Sequence, residues 1–368
     1  MTAFRWTPAH IAAIDLVAPV TPLITREMVT PLVPRMDIWD HWPVLEKDGS
    51  VACVAGGCLV IALSAPIFDD PEDRHGLARL RLFHRSLAGW RDLGDLFPDG
   101  FTPGSREWAG SAILDPTGVM LTVYFTAAGK RGEPSLSFAQ RLFASTATFD
   151  RDKLQLRDWS ALAEIVSPDG RVYQSSLAGG AGTGTIKAFR DPFFWRDPKN
   201  GSKYILFAGS SASATSPWNG LVGLARCDDD CWTLCPPLVE ATGLNNELER
   251  PHLVIFNDRR YLFWSTQQKV FADGGPAGPT GLYGVVADDI AGPWRPLNGS
   301  GLVLRNPLDA PFQAYSWQVL ADGGVWSFVD MIGLARPPLD ANEARAHFGG
   351  APAPLLQLVI EGETTFLR

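Results

Sequence analysis

The segment SAILDPTGVMLTVYFTA, residues 111–127, places two runs rich in β-branched and aromatic residues on either side of the turn DPTG, residues 115–118. This order predicts a β-hairpin, because proline, glycine and aspartate favour tight turns and branched side chains favour strands. The same design recurs at residues 252–264, around the dipeptide at 257–258, and at residues 314–329. The chain is therefore predicted to be all-β and built from repeated antiparallel hairpins.

Strand-like apolar runs also occur over much of the remaining sequence, and long amphipathic helices are absent from the pattern. The further runs lie at 51–62, 79–84, 204–209, 220–225, 281–286 and 355–360. The 36 Gly and 29 Pro fall mostly between runs, as turns, so no domain boundary stands out. We predict a single domain, residues 1–368, folded as a β-propeller rather than a two-sheet sandwich, with the segment to about Pro34 wrapping its outside or one end.

Composition and charge limit the partners. A net charge of -8, without a cluster of Lys and Arg, argues against nucleic acid. No apolar run approaches the roughly 20 residues of a membrane span, so we expect no membrane partner. The 13 Trp favour a sugar ligand, because indole faces stack on sugar rings, although tryptophan is also an ordinary core residue of propellers.

The N-terminus and the cysteines leave the compartment open. Residues 1–23 contain an aspartate and three prolines and do not predict a cleaved signal peptide. Extracellular or periplasmic export without a cleaved signal, and a cytoplasmic location, both remain compatible with the chain. Five cysteines do not form a complete disulfide framework. Cys227, Cys231 and Cys235 lack the histidines and spacing of a zinc site, so we predict free thiols or one bridge among them.

Three short acidic motifs are flanked by aromatic residues and proline: WDHWP at 39–43, FRDP at 189–192 and ELERPH at 247–252. A carboxylate is costly to bury beside tryptophan or arginine, so three such motifs predict sites of chemistry. In a propeller the inner strands of different blades converge, which would bring the motifs together. Taken alone, Asp40 is equally compatible with a turn, and Asp191 with a corner residue paired to its neighbouring arginine.

The third motif contains two glutamates. In an extended strand, Glu247 and Glu249 share one face, and their repulsion raises the pKa of one of them, as a general acid requires. The alternative is an exposed edge strand with a weak Glu–Arg pair. Retaining cleavage of a glycosidic bond needs a nucleophilic carboxylate and a protonated carboxylic acid roughly 5 to 5.5 Å apart, which the set of motifs can supply.

Together with EWAGS at 107–111 and QAYS at 313–316, these motifs occur in the order seen in the levansucrase, inulosucrase and bacterial β-fructofuranosidase family, glycoside hydrolase family 68. The chain resembles that family from about residue 5 nearly to its C-terminus. The resemblance implies a five-bladed β-propeller with a central acidic funnel. It also implies cleavage of sucrose through a covalent fructosyl-enzyme intermediate, with sugar acceptors as partners and no cofactor.

The resemblance assigns roles to individual residues. It implies that Asp40 is the nucleophile, that Asp191 stabilises the transition state and that Glu249 is the acid/base. The residues that it implies for substrate binding are Trp39, Trp108, Ser111, Arg190, Glu247, Arg250, Gln267 and Tyr315.

Some positions depart from the family pattern. Asn246 stands where Gram-positive members carry an acidic calcium ligand, so we predict no metal. Gln267 replaces an arginine or histidine common on the acceptor side, and the stretch 304–315 looks short. We therefore expect water and short sugar acceptors rather than high-mass levan. Levan synthesis is the alternative within the family. Outside it, the alternatives are another propeller glycosidase, acting on fructan or arabinan, and a non-catalytic carbohydrate-binding propeller.

Overall fold

The computed structural model describes residues 2–15, 18–180 and 185–368. Over these ranges the chain is almost entirely β, with two short helices, α1 (Pro8–Ala12) and α2 (Ala341–His347). Short 3-10 turns lie at Arg26–Met28, Pro71–Gly76, Ser176–Ala178, Gln268–Val270 and Leu297–Gly299. None of the helices in these ranges is long and apolar enough to cross a bilayer. The five cysteines are free thiols.

The strands form five antiparallel sheets in chain order, and a short N-terminal strand, β1 (Phe4–Arg5), joins the third sheet. The first sheet contains β2 (Met36–Pro43), β3 (Gly57–Pro66), β4 (Arg79–Ser86) and β5 (Gly89–Asp95). The second contains β6 (Arg106–Leu114), β7 (Met120–Ala128), β8 (Gln140–Asp150), β9 (Gln155–Arg157) and β10 (Ala163–Glu164). The third contains β11 (Phe189–Arg196), β12 (Lys203–Ser210), β13 (Gly220–Asp228) and β14 (Cys231–Glu240). The fourth contains β15 (Glu249–Phe256), β16 (Arg259–Thr266), β17 (Gly281–Ala287), β18 (Arg295–Pro296) and β19 (Leu302–Arg305). The fifth contains β20 (Ala314–Val319), β21 (Gly324–Met331), β22 (Phe348–Pro352), β23 (Leu356–Glu361) and β24 (Thr364–Leu367).

Each sheet is one blade of a propeller. The first strands of the sheets, β2, β6, β11, β15 and β20, lie innermost and pack against one another around the centre. Apolar side chains of neighbouring blades fill the space between the sheets. The prediction of an all-β, five-bladed propeller is confirmed.

All five inner strands are interrupted by an irregularity in their pairing with the second strand of the blade. In the first blade, Trp39 pairs with Leu63 and Trp42 with Ile61, so two residues lie opposite one, as in a β-bulge. Equivalent shifts occur between Arg190 and Phe193, Glu249 and His252, Tyr315 and Gln318, and, with one residue fewer, Trp108 and Gly110. We call these five irregularities the bulge ring.

The bulge ring contains strained backbone. Asp40, Asp191, Arg250 and Ser316 have positive φ angles of 39°, 62°, 47° and 63°. A residue with a Cβ atom pays about 1–2 kcal/mol for the left-handed conformation. In the second blade Gly110 fits because a Cβ atom would lie 1.9 Å from the carbonyl oxygen of Tyr124. The motifs of the sequence thus coincide with bulges that redirect the inner strands.

The N-terminal residues contact three blades. Strand β1 pairs in parallel with β14 of the third blade. Trp6 is buried, and its indole nitrogen donates to the carbonyl of Ser300 in the fourth blade, at 3.3 Å. The backbone nitrogen of Ile24 donates to the Gln313 side chain, next to the fifth blade, at 2.9 Å. This segment therefore bridges the later blades of the propeller.

Candidate active site

A cavity of about 390 Å³ opens between the inner strands, and all five blades line it. Its lining includes one bulge residue from each blade: Asp40, Ala109, Asp191, Arg250 and Ser316. A volume in this range suits a small ligand. The bulge ring therefore contributes to the wall of this central cavity.

Hydrogen bonds join the bulges of neighbouring blades. Thr126 accepts a hydrogen bond from the Asp191 backbone nitrogen at 2.9 Å and donates to the carbonyl of Ala109 at 3.0 Å. The Arg250 backbone nitrogen donates to Oδ2 of Asp191 at 3.1 Å. The Arg250 guanidinium then donates to Ser316 in the fifth blade, with Nη1 to Oγ at 2.8 Å. These contacts orient Asp191 and hold the second to fifth blades together.

Arg250 also reaches the first blade. Its Nη2 donates to the carbonyl of His41 at 3.1 Å and to Oε1 of Gln318 at 3.0 Å, and its guanidinium carbon lies 5.6 Å from the centre of the Trp42 ring. Both terminal nitrogens are therefore engaged with protein acceptors. Arg250 lines the cavity, and its hydrogen bonds to Ser316 and His41 complete the hydrogen-bond chain between the blades.

Two carboxylates share one nitrogen of Arg190. Its Nη2 lies 2.6 Å from Oε2 of Glu247 and 2.7 Å from Oε1 of Glu249, and all three side chains line the cavity. Arg190 is only 5% exposed, so these charge-assisted bonds are poorly screened. The guanidinium therefore holds both glutamates at one end of the site.

The pKa values of the two glutamates are shifted in opposite directions. Burial raises the pKa of Glu247, which Arg190 offsets only in part. Burial also raises the pKa of Glu249. The lowering effects of Arg190 and of a hydrogen bond from Tyr315 are together larger, so the net shift is downward. The sequence predicted that one glutamate would have a raised pKa. In the structure this is Glu247, and not the expected acid Glu249, because the charge of Glu249 raises the pKa of Glu247 and the Tyr315 phenol donates only to Glu249.

The two aspartates are buried acids. Burial raises the pKa of Asp40, against the lowering effect of Arg250 and a hydrogen bond with Ser316. Burial raises the pKa of Asp191 to about 7, and Arg190, whose Nε lies 3.7 Å from its carboxylate, lowers it only in part. Asp40 and Glu249 each line the cavity, and the charge of Glu249 raises the pKa of Asp40. The two carboxyl groups therefore interact electrostatically within the site.

Four buried donors of residues that line the cavity have no acceptor in the part of the chain that the structure describes. They are the indole nitrogens of Trp39 and Trp108, Nη1 of Arg190 and Nε of Arg74. Buried donors are normally satisfied, so exceptions beside a cavity indicate where a ligand oxygen can bind. The site thus combines aromatic faces, carboxylates and free N–H groups, as sugar binding requires.

A family model described as levansucrase/invertase, that of glycoside hydrolase family 68, matches residues 2–219 and 212–368. The chain belongs to glycoside hydrolase family 68. Among curated relatives, levansucrase LscA of Pseudomonas savastanoi pv. glycinea is 32% identical over 94% of this chain and 90% of its own. A levansucrase of Rahnella aquatilis is 31% identical over 100% of this chain and 96% of its own.

Solved structures of family 68 members share the fold. Inulosucrase from Halalkalicoccus jeotgali, bound to kestose, superposes with a TM-score of 0.88 at 36% identity, covering 100% of this chain and 95% of that one. The β-fructofuranosidase catalytic domain of Microbacterium saccharophilum has a TM-score of 0.81 at 25% identity, covering 100% and 91%. These similarities extend along the whole propeller.

The structure brings together nearly all the residues that the sequence singled out in this family 68 chain. Those that line the cavity are Trp39, Asp40, Trp108, Arg190, Asp191, Glu247, Glu249, Arg250, Gln267 and Tyr315. Ser111 is the exception, and its placement in the sugar site is corrected. Its buried hydroxyl donates to the carbonyl of Pro192 and accepts from the nitrogen of Phe194, both at 2.9 Å. Ser111 therefore fastens β6 to β11 and does not face the cavity.

Five titratable residues at the cavity escaped the sequence analysis: Glu72, Arg74, His75, Lys269 and Asp330. The first three belong to the 3-10 turn at Pro71–Gly76, where Nη1 of Arg74 lies 3.1 Å from Glu72. The dense charge of the stretch PEDRHG, residues 71–76, was the available signal. Lys269 follows two glutamines and Asp330 stands alone in an apolar run, and neither position gave a signal.

Asp330 is the most informative of these additions to the family 68 site. Its carboxylate has no hydrogen-bond or ion-pair partner within the described ranges, although it lines the cavity on β21. Burial raises its pKa to about 6, against the lowering effects of Arg74 and Lys269. An unpaired carboxylate in this position is suited to accept hydrogen bonds from ligand hydroxyls.

Proposed function

We propose that this protein cleaves sucrose with retention, through a fructosyl intermediate on Asp40, and passes the fructosyl group to water or short sugar acceptors. Membership of family 68 supports the reaction class. The observation that carries the assignment of residues is the convergence of Asp40, Asp191 and Glu249, from three different blades, on one cavity. A carboxylate pair on either side of a scissile bond is the machinery of a retaining glycosidase.

In the first step, an oxygen of ionised Asp40 attacks C2 of the fructosyl ring. The bond from C2 to the glycosidic oxygen breaks, and Glu249 gives its proton to that oxygen as glucose leaves. In the second step, Glu249 takes the proton of a water or sugar hydroxyl, which attacks C2 and releases Asp40. The proton therefore returns to Glu249 at the end of each cycle.

The electrostatic interaction of Asp40 with Glu249 supports this exchange. The charge of Glu249 raises the pKa of Asp40, so a proton on Glu249 favours the ionised Asp40 that attacks C2. The contacts of Glu249 with Arg190 and Tyr315 make that proton easy to donate. They also favour the ionised form that the second step requires.

Asp191 is suited to stabilise the transition state. Its carboxylate is held by the Arg250 backbone nitrogen, and the charge of Asp40 contributes to its raised pKa. Positive charge that develops on the fructosyl ring favours the ionised form of this acid. Because the carboxylate is already oriented, it offsets that charge without rearrangement.

The acceptor side favours small molecules in this proposal. Gln267 lines the cavity just before the turn Gln268–Val270. The connection from β19 to β20 is short, and its buried Gln313 is tied to the N-terminal segment through Thr21, at 3.0 Å, and the carbonyl of Pro22, at 2.8 Å. Little surface is thus available there to hold a growing chain.

Incubation with sucrose tests the proposal. Wild type should release glucose and fructose in similar amounts, with short oligosaccharides, on chromatography. Asp40→Ala and Glu249→Ala should lose at least about 1,000-fold in kcat while remaining folded, whereas the exposed control Asp309→Ala should not. Unchanged turnover in either catalytic variant would refute the residue assignment. A large excess of glucose over fructose, with precipitating polymer, would refute the choice of acceptor.

A further inference from the structure

A buried lysine lies beside the site and makes no direct contact with the cavity carboxylates. Lys187 is 7% exposed and stands two residues before β11, the strand that carries Arg190 and Asp191. Its ammonium group donates to Oδ1 of Asn219 at 2.9 Å, to Oδ1 of Asn246 at 3.0 Å and to the carbonyl of Pro217. We call Lys187, Pro217, Asn219 and Asn246 the lysine cluster.

All three acceptors of this ammonium group are uncharged. Burial of an ammonium ion costs several kcal/mol unless a counter-charge is close, and three hydrogen bonds to neutral oxygens offset only part of that cost. Burial accordingly lowers the pKa of Lys187, and the charge of Glu247 opposes this shift. A lysine on the surface would cost the fold less free energy. The buried position is therefore better explained by the segments that the ammonium group holds in place.

The lysine cluster joins segments that are distant in sequence. Asn219 stands just before β13, and its amide donates to Oε1 of Gln174 at 3.0 Å and to the carbonyl of Ser211 at 2.7 Å. The Lys187 carbonyl accepts from the Gln140 side chain of the second blade, at 2.9 Å. The Lys187 segment is therefore hydrogen-bonded to the second blade and, through Asn219, to the residues that flank β12 and β13.

Asn246 leads directly to the catalytic end of the cavity. It is fully buried, its amide donates to the carbonyl of Ile186 at 2.8 Å, and it immediately precedes Glu247. The Glu247 backbone is held from the other side by Asn245, whose Oδ1 accepts from the Glu247 nitrogen at 2.8 Å. Glu247 in turn shares Nη2 of Arg190 with Glu249.

We propose that Lys187 is a positioning residue, whose ammonium group fixes the Asn246–Glu247 segment and thereby orients Arg190 and Glu249. This inference rests on the proposed role of Glu249 as acid/base. Lys187 touches neither substrate nor reacting atoms. It acts through geometry, by locking the residue before Glu247, and through charge, by favouring the ionised form of Glu247 beside Arg190.

Three variants separate these two effects. Lys187→Met removes both the hydrogen bonds and the charge. Lys187→Gln keeps a donor without the charge. Asn246→Ala keeps the charge but removes the hydrogen bond between Lys187 and the segment that leads to Glu247. Lys203→Met is the matched control, because Lys203 lies on the adjacent strand β12 in an exposed pair with Asp230. Sucrose turnover of each purified full chain is measured against pH, and folding is checked by circular dichroism and Tm.

Lys187→Met and Asn246→Ala should each lower kcat at least about tenfold, with KM changed less than about threefold, per mole of folded protein. In both Lys187 variants the alkaline limb of kcat/KM should move to higher pH, because loss of a positive charge favours protonated carboxyl groups. Asn246→Ala should leave that limb in place, and the control should match wild type. If Lys187→Met does not fold, Lys187→Gln and Asn246→Ala make the same comparison.

Folded Lys187 variants with wild-type kcat and an unmoved pH profile would overturn the inference. A fall in Tm alone would do the same, since it would show a role confined to stability. Wild-type protein that fails to cleave sucrose, or a Glu249→Ala variant that still cleaves it, would instead contradict the proposed function. The two failures are therefore distinguishable.

Discussion

The phenol of Tyr315 donates its hydrogen bond to the carboxylate oxygen of Glu249 that Arg190 leaves free. Burial, reinforced by the charge of Glu249, raises the pKa of Tyr315 well above its ordinary value, so the phenol keeps its proton. Arg190 contributes most to the lowered pKa of Glu249, and the hydrogen bond from Tyr315 adds a lowering effect that Glu247 lacks. The proposed acid/base function of Glu249 therefore depends in part on a residue from the next blade.

Replacement of Tyr315 by phenylalanine tests that dependence. Loss of a hydrogen bond to a charged group costs about 1.5–3 kcal/mol, so kcat for sucrose should fall about 10- to 100-fold. The pKa of Glu249 should rise, and the alkaline limb of kcat/KM should move to higher pH. Tyr261→Phe is the control, because its hydroxyl donates to the carbonyl of Gly362, outside the cavity. Equal profiles for the two variants would contradict the role of Tyr315.

Asp330 should control affinity for the sugar rather than the chemical step. Asp330→Asn removes the unpaired charge, and we expect KM for sucrose to rise about tenfold at pH 7.5 with kcat changed less than about threefold. Since the pKa of Asp330 is about 6, the difference from wild type should shrink as the pH falls to 5. Steady-state kinetics at both pH values measure it, with exposed Asp309→Asn as control. A loss confined to kcat would argue against a binding role.

Asp191 should make the stability of the fold depend on pH. Burial raises its pKa to about 7 from the ordinary 3.8, so between these values the folded chain binds a proton that the unfolded chain releases. This contribution to stability is present below about pH 4 and is lost as the pH rises through 7. The Tm of Asp191→Asn relative to wild type should therefore become more favourable between pH 5 and pH 8. A constant difference in calorimetry would show that Asp191 titrates normally.

Ser111 should matter for folding and not for sugar binding. Ser111→Ala leaves the buried nitrogen of Phe194 without an acceptor, which costs about 1–3 kcal/mol. We expect a lower Tm and an unchanged KM for sucrose. Ser50→Ala, at a surface turn, is a control for the loss of a hydroxyl. A raised KM with unchanged Tm would restore Ser111 to the site.

The sequence predicted the carboxylates and their convergence well, because WDHWP, FRDP and ELERPH carry local signals of aromatic, proline and charge. It could not assign the pKa shifts, since the contact that decides between Glu247 and Glu249 comes from Tyr315, 66 residues along the chain. Ser111 was misplaced because its hydroxyl is bonded to the backbone of β11, more than 80 residues away, which no local pattern indicates. Asp330 was missed because nothing in its neighbourhood resembles a motif.

The bulge ring has a consequence for how this scaffold can change over time. The hydrogen-bond chain between its blades runs through the Asp191 carboxylate, Arg250, Ser316 and the carbonyl of His41, and the Asp40 side chain adds one hydrogen bond to it, with Ser316. Asp40, the proposed nucleophile, is therefore a terminal member of this chain, whose other links do not pass through it. Exchange of Asp40 for a small neutral residue would leave those other links and the sugar-facing wall in place, so that a catalyst of the proposed kind would become a reversible sugar receptor in one mutational step.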